Sequence, residues 1–221
     1  MPTEDDRPSG PSQNRLDRYR PAFEVIAAIV LSAATVLTAW SAFESAKWSG
    51  LQATNFSLAS ATRTESIRAS TLVGQQSLAD VSVFTTWLSA TEQGQTRLAG
   101  IIAKGFRGEF KVAFNHWEAM SPLTNPSAPA SPFDLSSYQL AESGRSNQLE
   151  AQASQQFLEA TKDNRRADNY VLMTVLFSIA LFFGAMSGHL ANARLELPFI
   201  AIEAIVFFGA TAVTATFPVR I

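Results

Sequence analysis

The stretch "TAWSAFESAKWSGLQ", residues 38–52, decides how the chain is organised. It closes an apolar run, residues 22–42, whose length of roughly 20 residues lets a helix cross the hydrocarbon core of a bilayer. Trp40 and Trp48 lie about 12 Å apart along a helix, and they bracket a membrane interface, where tryptophan is favoured. Nothing in the stretch ends a helix. The sequence therefore predicts a first span, residues 21–43, that continues outward as the root of a helical stalk.

Two further apolar blocks follow near the other end of the chain. Residues 170–190 hold no charged side chain apart from a possible charge on His189, and residues 199–217 hold one, Glu203. The net charge is −2 and charged residues make up only 16% of the chain, against about 25% in ordinary soluble proteins. We predict spans at residues 169–190 and 199–217. A short link, 191–198, joins them, and 218–221 form the end of the chain.

Composition excludes several kinds of chemistry. The chain has no cysteine, which rules out disulfides, thiolate catalysis and cysteine-based zinc or iron–sulfur sites. Its two histidines, His116 and His189, lie in different segments, so no two-histidine metal motif can be drawn. There is neither a basic excess nor a nucleic-acid-binding motif. We therefore expect a protein that is not an enzyme, holds no metal or cofactor and does not bind nucleic acid.

The first span has an alternative interpretation as a cleaved signal sequence. Ala39 and Ser41 would provide a small-residue cleavage site, and the lead-in is basic. However, the apolar run exceeds the usual 7–15 residues of such a signal, and the helical pattern continues past the cut. Retention is favoured, and cleavage stays open.

Between the first two spans, residues 44–168 are predicted to form a helical extramembrane bundle. The prolines of this region cluster in residues 121–133, "SPLTNPSAPASPF", which predicts a Pro-rich loop. Ser131, Pro132 and Asp134 then form the pattern of a capped helix start, from which a helix would run into the second span. Residues 1–20 are polar and without periodicity, which predicts a disordered tail.

The two arms of this bundle differ in length. Residues 43–120 would reach roughly 115 Å as one helix, whereas 135–168 reach only about 50 Å. The outgoing arm must therefore fold back, and we expect turns at Gly94, Gly100, Gly105 and Gly108, giving about three helices with a core rich in Ala, Ser and Thr. The face predicted to be buried on the outgoing helix comprises Ile67, Thr71, Gly74, Leu78, Val81, Phe84 and Leu88.

Polar residues inside the spans form the first group of candidate site residues. Glu24, His189 and Glu203 are expected at similar depth near one membrane face, and they could form a proton or cation site because burying charge in a membrane is costly. The alternative is that each acid extends to the nearby interface. Ala180, Gly184 and Gly188 have the four-residue spacing that lets helices pack closely, within one chain or between chains.

The second group would anchor the helices at the interface. It comprises Trp40, Glu44, Lys47, Trp48, Arg165 and Arg166. Glu44 and Lys47, three residues apart, are expected to pair on the emerging surface. Arg165 and Arg166 either bind lipid phosphates or form a solvated charge pair beside the second span.

Three segments carry a resemblance: "TAWSAFESAKWSG", "WEAMSPLTNPSAPASPF" and "ADNYVLMTVLFSIALFFGAMSG". The chain resembles bacterial three-span integral membrane proteins of unknown function. This likeness implies an architecture and no activity. The expected location is the bacterial inner membrane, with the N-terminus cytoplasmic and the bundle external.

Three functions are compatible with these observations. The favoured one is a non-catalytic scaffold or accessory subunit, whose partners would be the lipid bilayer and either another membrane protein or a second copy of the chain. A homo-oligomeric channel or transporter subunit using Glu24 and Glu203 is the first alternative. A membrane sensor with a ligand-binding helical ectodomain is the second.

Overall fold

The computed structural model describes residues 13–190 and 193–220, with side chains for 25–190 and 196–220. Over this part of the chain every regular element is helical. The elements are α1 (Gln13–Glu92), α2 (Thr96–Lys104), α3 (Gly108–Glu118), a single 3₁₀ turn (Pro132–Asp134), α4 (Ala141–Ser187) and α5 (Ala193–Thr214). Three of them, α1, α4 and α5, are long and apolar enough to cross a membrane. The prediction of an all-helical chain with three candidate spans is therefore confirmed.

The helix ends differ from prediction at three places. Helix α1 already begins at Gln13, so residues 13–20 are helical where a disordered tail was expected, and the rest of that tail lies outside the described residues. Extending an existing helix costs little, and residues 13–20 contain neither glycine nor proline. Helix α5 likewise begins at Ala193, inside the predicted link, and includes Pro198. Helix α4 begins at Ala141 rather than Pro132.

The late start of α4 has a local cause. The predicted capping box does form, because the Ser131 N–H and hydroxyl both donate to Asp134 Oδ2, at 3.1 and 2.8 Å. It closes only one 3₁₀ turn, after which Leu135 is extended with ψ of 140°. A second cap then starts the long helix, since Glu109 Oε1 of α3 accepts the Ala141 N–H at 2.9 Å.

The chain divides into two compact units, and unit 1 comprises Met1–Asn55 and Leu158–Ile221. Its core takes one face from each of α1, α4 and α5, and consists of Ala34, Met173, Phe177, Ala180, Phe207 and Ala210. Large apolar side chains such as Val36, Phe182 and Ile205 are exposed on the outside of these helices. That distribution suits helices surrounded by lipid rather than water.

Unit 2, Phe56–Phe157, packs part of α1 against the first turns of α4 along a seam of small residues. Ala59, Ala69 and Ala153 are buried there. Ser66 and Ser146 bond in both directions: each hydroxyl donates to the other residue's carbonyl oxygen, at 3.0 and 3.2 Å. Small side chains let the two backbones approach closely enough for these bonds.

The far part of unit 2 is an aromatic core that the sequence analysis did not anticipate. It contains Phe84, Trp87, Phe106, Phe110, Phe114 and Trp117. Trp87 and Phe114 meet edge to face at 4.7 Å, as do Phe106 and Phe110 at 4.8 Å. The expectation of a core made mainly of Ala, Ser and Thr is therefore wrong for this part of the unit.

The fold-back of the outgoing arm supplies these aromatic residues. Helix α1 ends at Glu92, and Gly94 turns the chain with φ of +69°, a conformation that favours glycine. Gly105 and Gly108 flank the next turn, between α2 and α3, whereas Gly100 lies inside α2 and makes no turn. The Pro-rich loop then closes over the core, because Trp117 Nε1 donates to the Pro129 carbonyl at 2.8 Å.

The predicted buried face of α1 is correct at Phe84 and Leu88, which belong to or pack against the aromatic core, but it is displaced by about one residue before them. Ile67, Leu78 and Val81 are 60%, 73% and 42% exposed, whereas Ser66 and Ala69 are buried in the seam. The prediction gave weight to apolar side chains, but close approach of α4 selects small ones. An uncharged stripe of α1 is consequently left without a partner in unit 2.

Candidate functional site

Glu203 is buried in α5, with only 2% of its surface exposed. Its carboxyl group lies against Gly184 of α4: a methyl group added at Gly184 would fall 2.5 Å from Glu203 Oε1 and 2.8 Å from Leu31 Cδ2. Within the described residues, Oε1 has no hydrogen-bond partner. The carboxyl group is buried among the helices, and alanine at position 184 would require Glu203 and Leu31 to move.

His189 does not meet Glu203 in the described structure. His189 lies beyond the end of α4, where its Nδ1 is 2.9 Å from the Ala185 carbonyl oxygen of the last turn. Glu24 belongs to α1, but its side chain lies outside the described residues, so its role stays a prediction. Of the two members whose side chains are described, only Glu203 is buried among the helices.

The small-residue pattern of α4 is used in part. Ala180 and Gly184 are buried against the neighbouring helices, whereas Gly188 is exposed past the end of α4. A methyl group added at Gly188 would lie 3.8 Å from the Ala185 carbonyl oxygen, its nearest neighbour. Close packing within the chain thus involves Ala180 and Gly184, and a role for Gly188 in packing between chains stays a prediction.

Trp48 is the centre of a cluster where the apolar segments end. Its ring is 5% exposed, and the guanidinium carbons of Arg166 and Arg220 lie 4.5 and 5.4 Å from the ring centroid. Arg166 also donates to Asp163 at 2.9 Å, and Asp163 accepts a second bond from Asn55 at 2.9 Å. Cation–π contacts of this kind hold a guanidinium in place while leaving N–H donors free.

The predicted surface pair of Glu44 and Lys47 is wrong. Glu44 is fully buried, and its Oε2 accepts the backbone N–H of Arg220 at 3.0 Å. Lys47 instead lies over the ring of Phe43, 5.5 Å from its centroid. Glu44 shares the inward face of α1 with Trp48, four residues on, while Lys47 points outward. The expected pairing required both residues on one exposed face.

Further polar atoms converge on this cluster. The Tyr170 hydroxyl donates to the Pro218 carbonyl at 3.1 Å, and the Tyr170 and Phe217 rings meet edge to face at 5.4 Å. The segment after α5 is thereby fixed against α1 and α4. The two remaining predicted anchors, Trp40 and Arg165, are both exposed. The ring centroids of Trp40 and Phe43 lie 6.0 Å apart.

An ionic network around one buried aspartate in unit 2 was not predicted. Arg107 donates to both carboxylate oxygens of Asp80, at 3.2 and 3.0 Å, and to Glu109 at 2.7 Å. The Tyr138 hydroxyl donates to Asp80 Oδ2 at 3.1 Å. Asp80 itself is almost fully buried. The network joins α1, the loop before α3 and the segment before α4, beside the aromatic core.

Electrostatics in this network follow from those contacts. The hydrogen bond to Asp80 raises the pKa of Arg107. The Ala141 N–H, and then Arg107, hold the pKa of Glu109 below its ordinary value. Burial, followed by the charge of Asp80, raises the pKa of Tyr138. All three pKa shifts favour a charged Arg107, an ionised Glu109 and a neutral Tyr138. This arrangement stabilises the fold by joining the three segments.

The described side chains contain no group of three acidic or histidine residues able to hold a metal ion. Three helices are long and apolar enough to cross a membrane, and large apolar side chains are exposed on their outer faces. No protein family model matches the chain, and no curated protein sequence or solved structure is significantly similar to it.

Proposed function

We propose that the chain is a non-catalytic scaffold or accessory subunit of a membrane assembly. In this proposal α1, α4 and α5 cross the inner membrane of a bacterium, with the N-terminus in the cytoplasm. Unit 2 lies outside the bilayer, on the external side. The ionic network around Asp80 supports an aqueous location for unit 2, since Arg107 and Glu109 reach its surface.

The observation that carries the proposal is the outer stripe of α1, which we define as Ile67, Thr71, Gly74, Leu78 and Val81. All but Gly74, which has no side chain, present exposed side chains, and Leu78 is 73% exposed. The stripe contains no charged residue and repeats at steps of three and four. Exposed apolar surface of this kind outside a bilayer marks a protein interaction site.

The stripe also limits the kind of partner. Residues at three- and four-residue steps along one helix present a single apolar ridge, and the surface complementary to such a ridge is a second helix. Gly74 lies at its middle, and nothing lies within 4 Å of the position its side chain would occupy. A helix of another membrane protein can therefore approach the backbone of α1 closely there.

Cysteine cross-linking tests the stripe directly, because the natural chain contains no cysteine. Leu78→Cys introduces a single thiol on the stripe, and Leu123→Cys introduces one on the exposed Pro-rich loop as a matched control. A photoactivatable thiol reagent is attached, the native membranes are irradiated, and products are identified by mass spectrometry. We expect one predominant partner protein at Leu78 and none at Leu123.

Two outcomes would contradict this assignment. Equal labelling from both positions would mean that the stripe has no specific partner. Labelling of lipid alone at Leu78 would place unit 2 in contact with the bilayer. Cross-linking to a second copy of the chain would instead make the assembly a homo-oligomer. In a separate assay, Leu78→Glu should reduce co-purification of the partner, whereas Leu123→Glu should not.

One observation favours a second function, a homo-oligomeric channel or transporter subunit. Glu203 is buried in a candidate span and its Oε1 has no hydrogen-bond partner there, so the group is available for a proton or a small cation. Purified protein in planar bilayers would show a conductance that Glu203→Gln abolishes. Absence of conductance from a reconstituted oligomer would remove this candidate and leave the scaffold role intact.

A further inference from the structure

We propose that Trp48, Arg166 and Arg220 form a binding site for the phosphate group of an anionic phospholipid. Trp48 would hold the two guanidinium groups in place, and the headgroup phosphate would bind between them. The site is independent of any partner protein on the outer stripe.

The first argument is the level of the cluster relative to the candidate spans. Trp48 lies six residues beyond the apolar run that ends at Ala42, which is about 9 Å of helix. Arg166 lies four residues before Tyr170, about 6 Å of helix, and Arg220 follows Phe217 closely after the end of α5. All three chain segments therefore leave the apolar region at this level, where the headgroups of a bilayer lie.

The second argument is the geometry of the two guanidinium groups. Both carbons lie near one ring centroid, at 4.5 and 5.4 Å, so they are no more than about 10 Å apart. In the proposed site, one headgroup contacts both guanidinium groups. Their contacts with the indole fix them before any ligand arrives, which reduces the ordering cost of binding.

The third argument is the supply of unused donors. The Arg220 guanidinium makes no hydrogen bond or ion pair with any described residue, and Arg166 gives only its Nη1 to Asp163. Glu44, the buried acid of the cluster, is bonded to the Arg220 backbone rather than to its side chain. A guanidinium carries five N–H donors, arranged to bind a phosphate through two parallel bonds. An anion with several oxygens is the ligand that these donors fit.

Native mass spectrometry of the full chain tests the proposal. The protein is purified in a mild detergent, stripped of lipid, and mixed with equal amounts of phosphatidylglycerol and phosphatidylcholine of matched chains. We expect retained phosphatidylglycerol to exceed phosphatidylcholine. Replacing each arginine should weaken that retention about fivefold, the effect of one basic residue at an anionic membrane surface. The variants are Arg166→Gln and Arg220→Gln.

Arg220→Gln is the decisive variant, because this side chain is exposed and its loss removes no hydrogen bond. Arg68→Gln is the control, since Arg68 is exposed in unit 2 and its one ion pair with a described residue is to Glu65 of its own helix. Helix content by circular dichroism confirms that each variant is folded. Retention in Arg220→Gln equal to that in wild type would overturn the proposal, as would equal retention of the two lipids by the wild type.

A final arm separates a lipid headgroup from free phosphate. Phosphatidylglycerol should raise the Tm of the wild-type chain and leave that of Arg220→Gln nearly unchanged. Inorganic phosphate at the same concentration should have little effect on either. An equal increase with inorganic phosphate would overturn the assignment to lipid.

Discussion

The contact between Gly184 and Glu203 gives the sharpest test of how α1, α4 and α5 pack. Gly184→Ala would add a methyl group 2.5 Å from Glu203 Oε1, 2.7 Å from its Cδ and 2.8 Å from Leu31 Cδ2. Real carbon atoms do not approach this closely, so the carboxyl group and the leucine must both move. Both are the ends of flexible side chains, which keeps the cost moderate.

The expected magnitude follows from two opposing effects. Inserting a methyl group into a packed core costs about 1–3 kcal/mol. Alanine is a better helix former than glycine by up to about 1 kcal/mol, which offsets part of that cost. We expect Gly184→Ala to lower the free energy of unfolding by ~1.5 kcal/mol, which corresponds to a fall in Tm of about 3–6 °C for a chain of this size.

Gly209→Ala is the matched control, because Gly209 is exposed on α5 and nothing lies within 4 Å of its added methyl group. The same substitution there should leave the Tm unchanged or raise it slightly. Unfolding is followed by the helix signal in circular dichroism, with the protein in one detergent throughout.

A double substitution then isolates the contact itself. In a Glu203→Ala background the carboxyl atoms that meet the new methyl group are gone, so Gly184→Ala should cost about 1 kcal/mol less than in the natural chain. The reasoning is refuted if Gly184→Ala is equally costly in both backgrounds. It is also refuted if Gly184→Ala and Gly209→Ala have the same effect.

Further predictions concern the ionic network of unit 2. Asp80→Asn should lower the free energy of unfolding by about 2 kcal/mol, because Arg107 loses its buried charged partner; Tyr138→Phe, which removes one hydrogen bond, should cost about 1 kcal/mol. Tm values of the two variants check this order, and equal values would contradict it. The stabilising contribution of Glu109 should be lost in acid. The pKa of Glu109 in the folded chain is held below the ordinary 4.5, so its contribution is fully present above pH 4.5 and disappears as the pH falls through the folded-state pKa. Tm measured against pH should therefore fall less steeply below pH 4.5 in Glu109→Gln than in the natural chain, and parallel curves would show that the carboxylate does not cap α4 at Ala141.

The three candidate spans were predictable because they are defined by helix length and apolar composition alone. Residues 170–190 and 199–217 needed no knowledge of what lies beside them. The aromatic core was also within reach of the sequence. Phe106, Phe110, Phe114 and Trp117 follow one another at four- and three-residue steps, a pattern typical of one buried helix face. The prediction missed it because the frequent Ala, Ser and Thr dominated the expected core.

Other features depend on contacts that are remote in sequence. Glu44 is buried because its acceptor oxygen meets a backbone N–H 176 residues further along the chain. The prediction considered only charged residues three or four apart on one helix, so it paired Glu44 with Lys47 instead. Glu203 was singled out from composition as an acid in a predicted span, but its contact with Gly184 requires two helices to be positioned against each other. The buried face of α1 was misplaced for the same reason, because it depends on how closely α4 approaches.

The serine pair of unit 2 has a consequence for the alignment of its two helices. A seam of alanine and serine has almost the same shape at every turn, so packing alone would tolerate a slip of seven residues, about 10 Å along the axis. That slip would place Ser66 beside Ala153, which has no hydroxyl to return the bond, and Arg63 beside Phe157 rather than Glu150, its ion-pair partner at 3.1 Å. A few polar contacts therefore fix the axial register that the small side chains leave undetermined, as a single buried polar residue does in a coiled coil. Removing them would leave the helices intact but free to pair in more than one alignment.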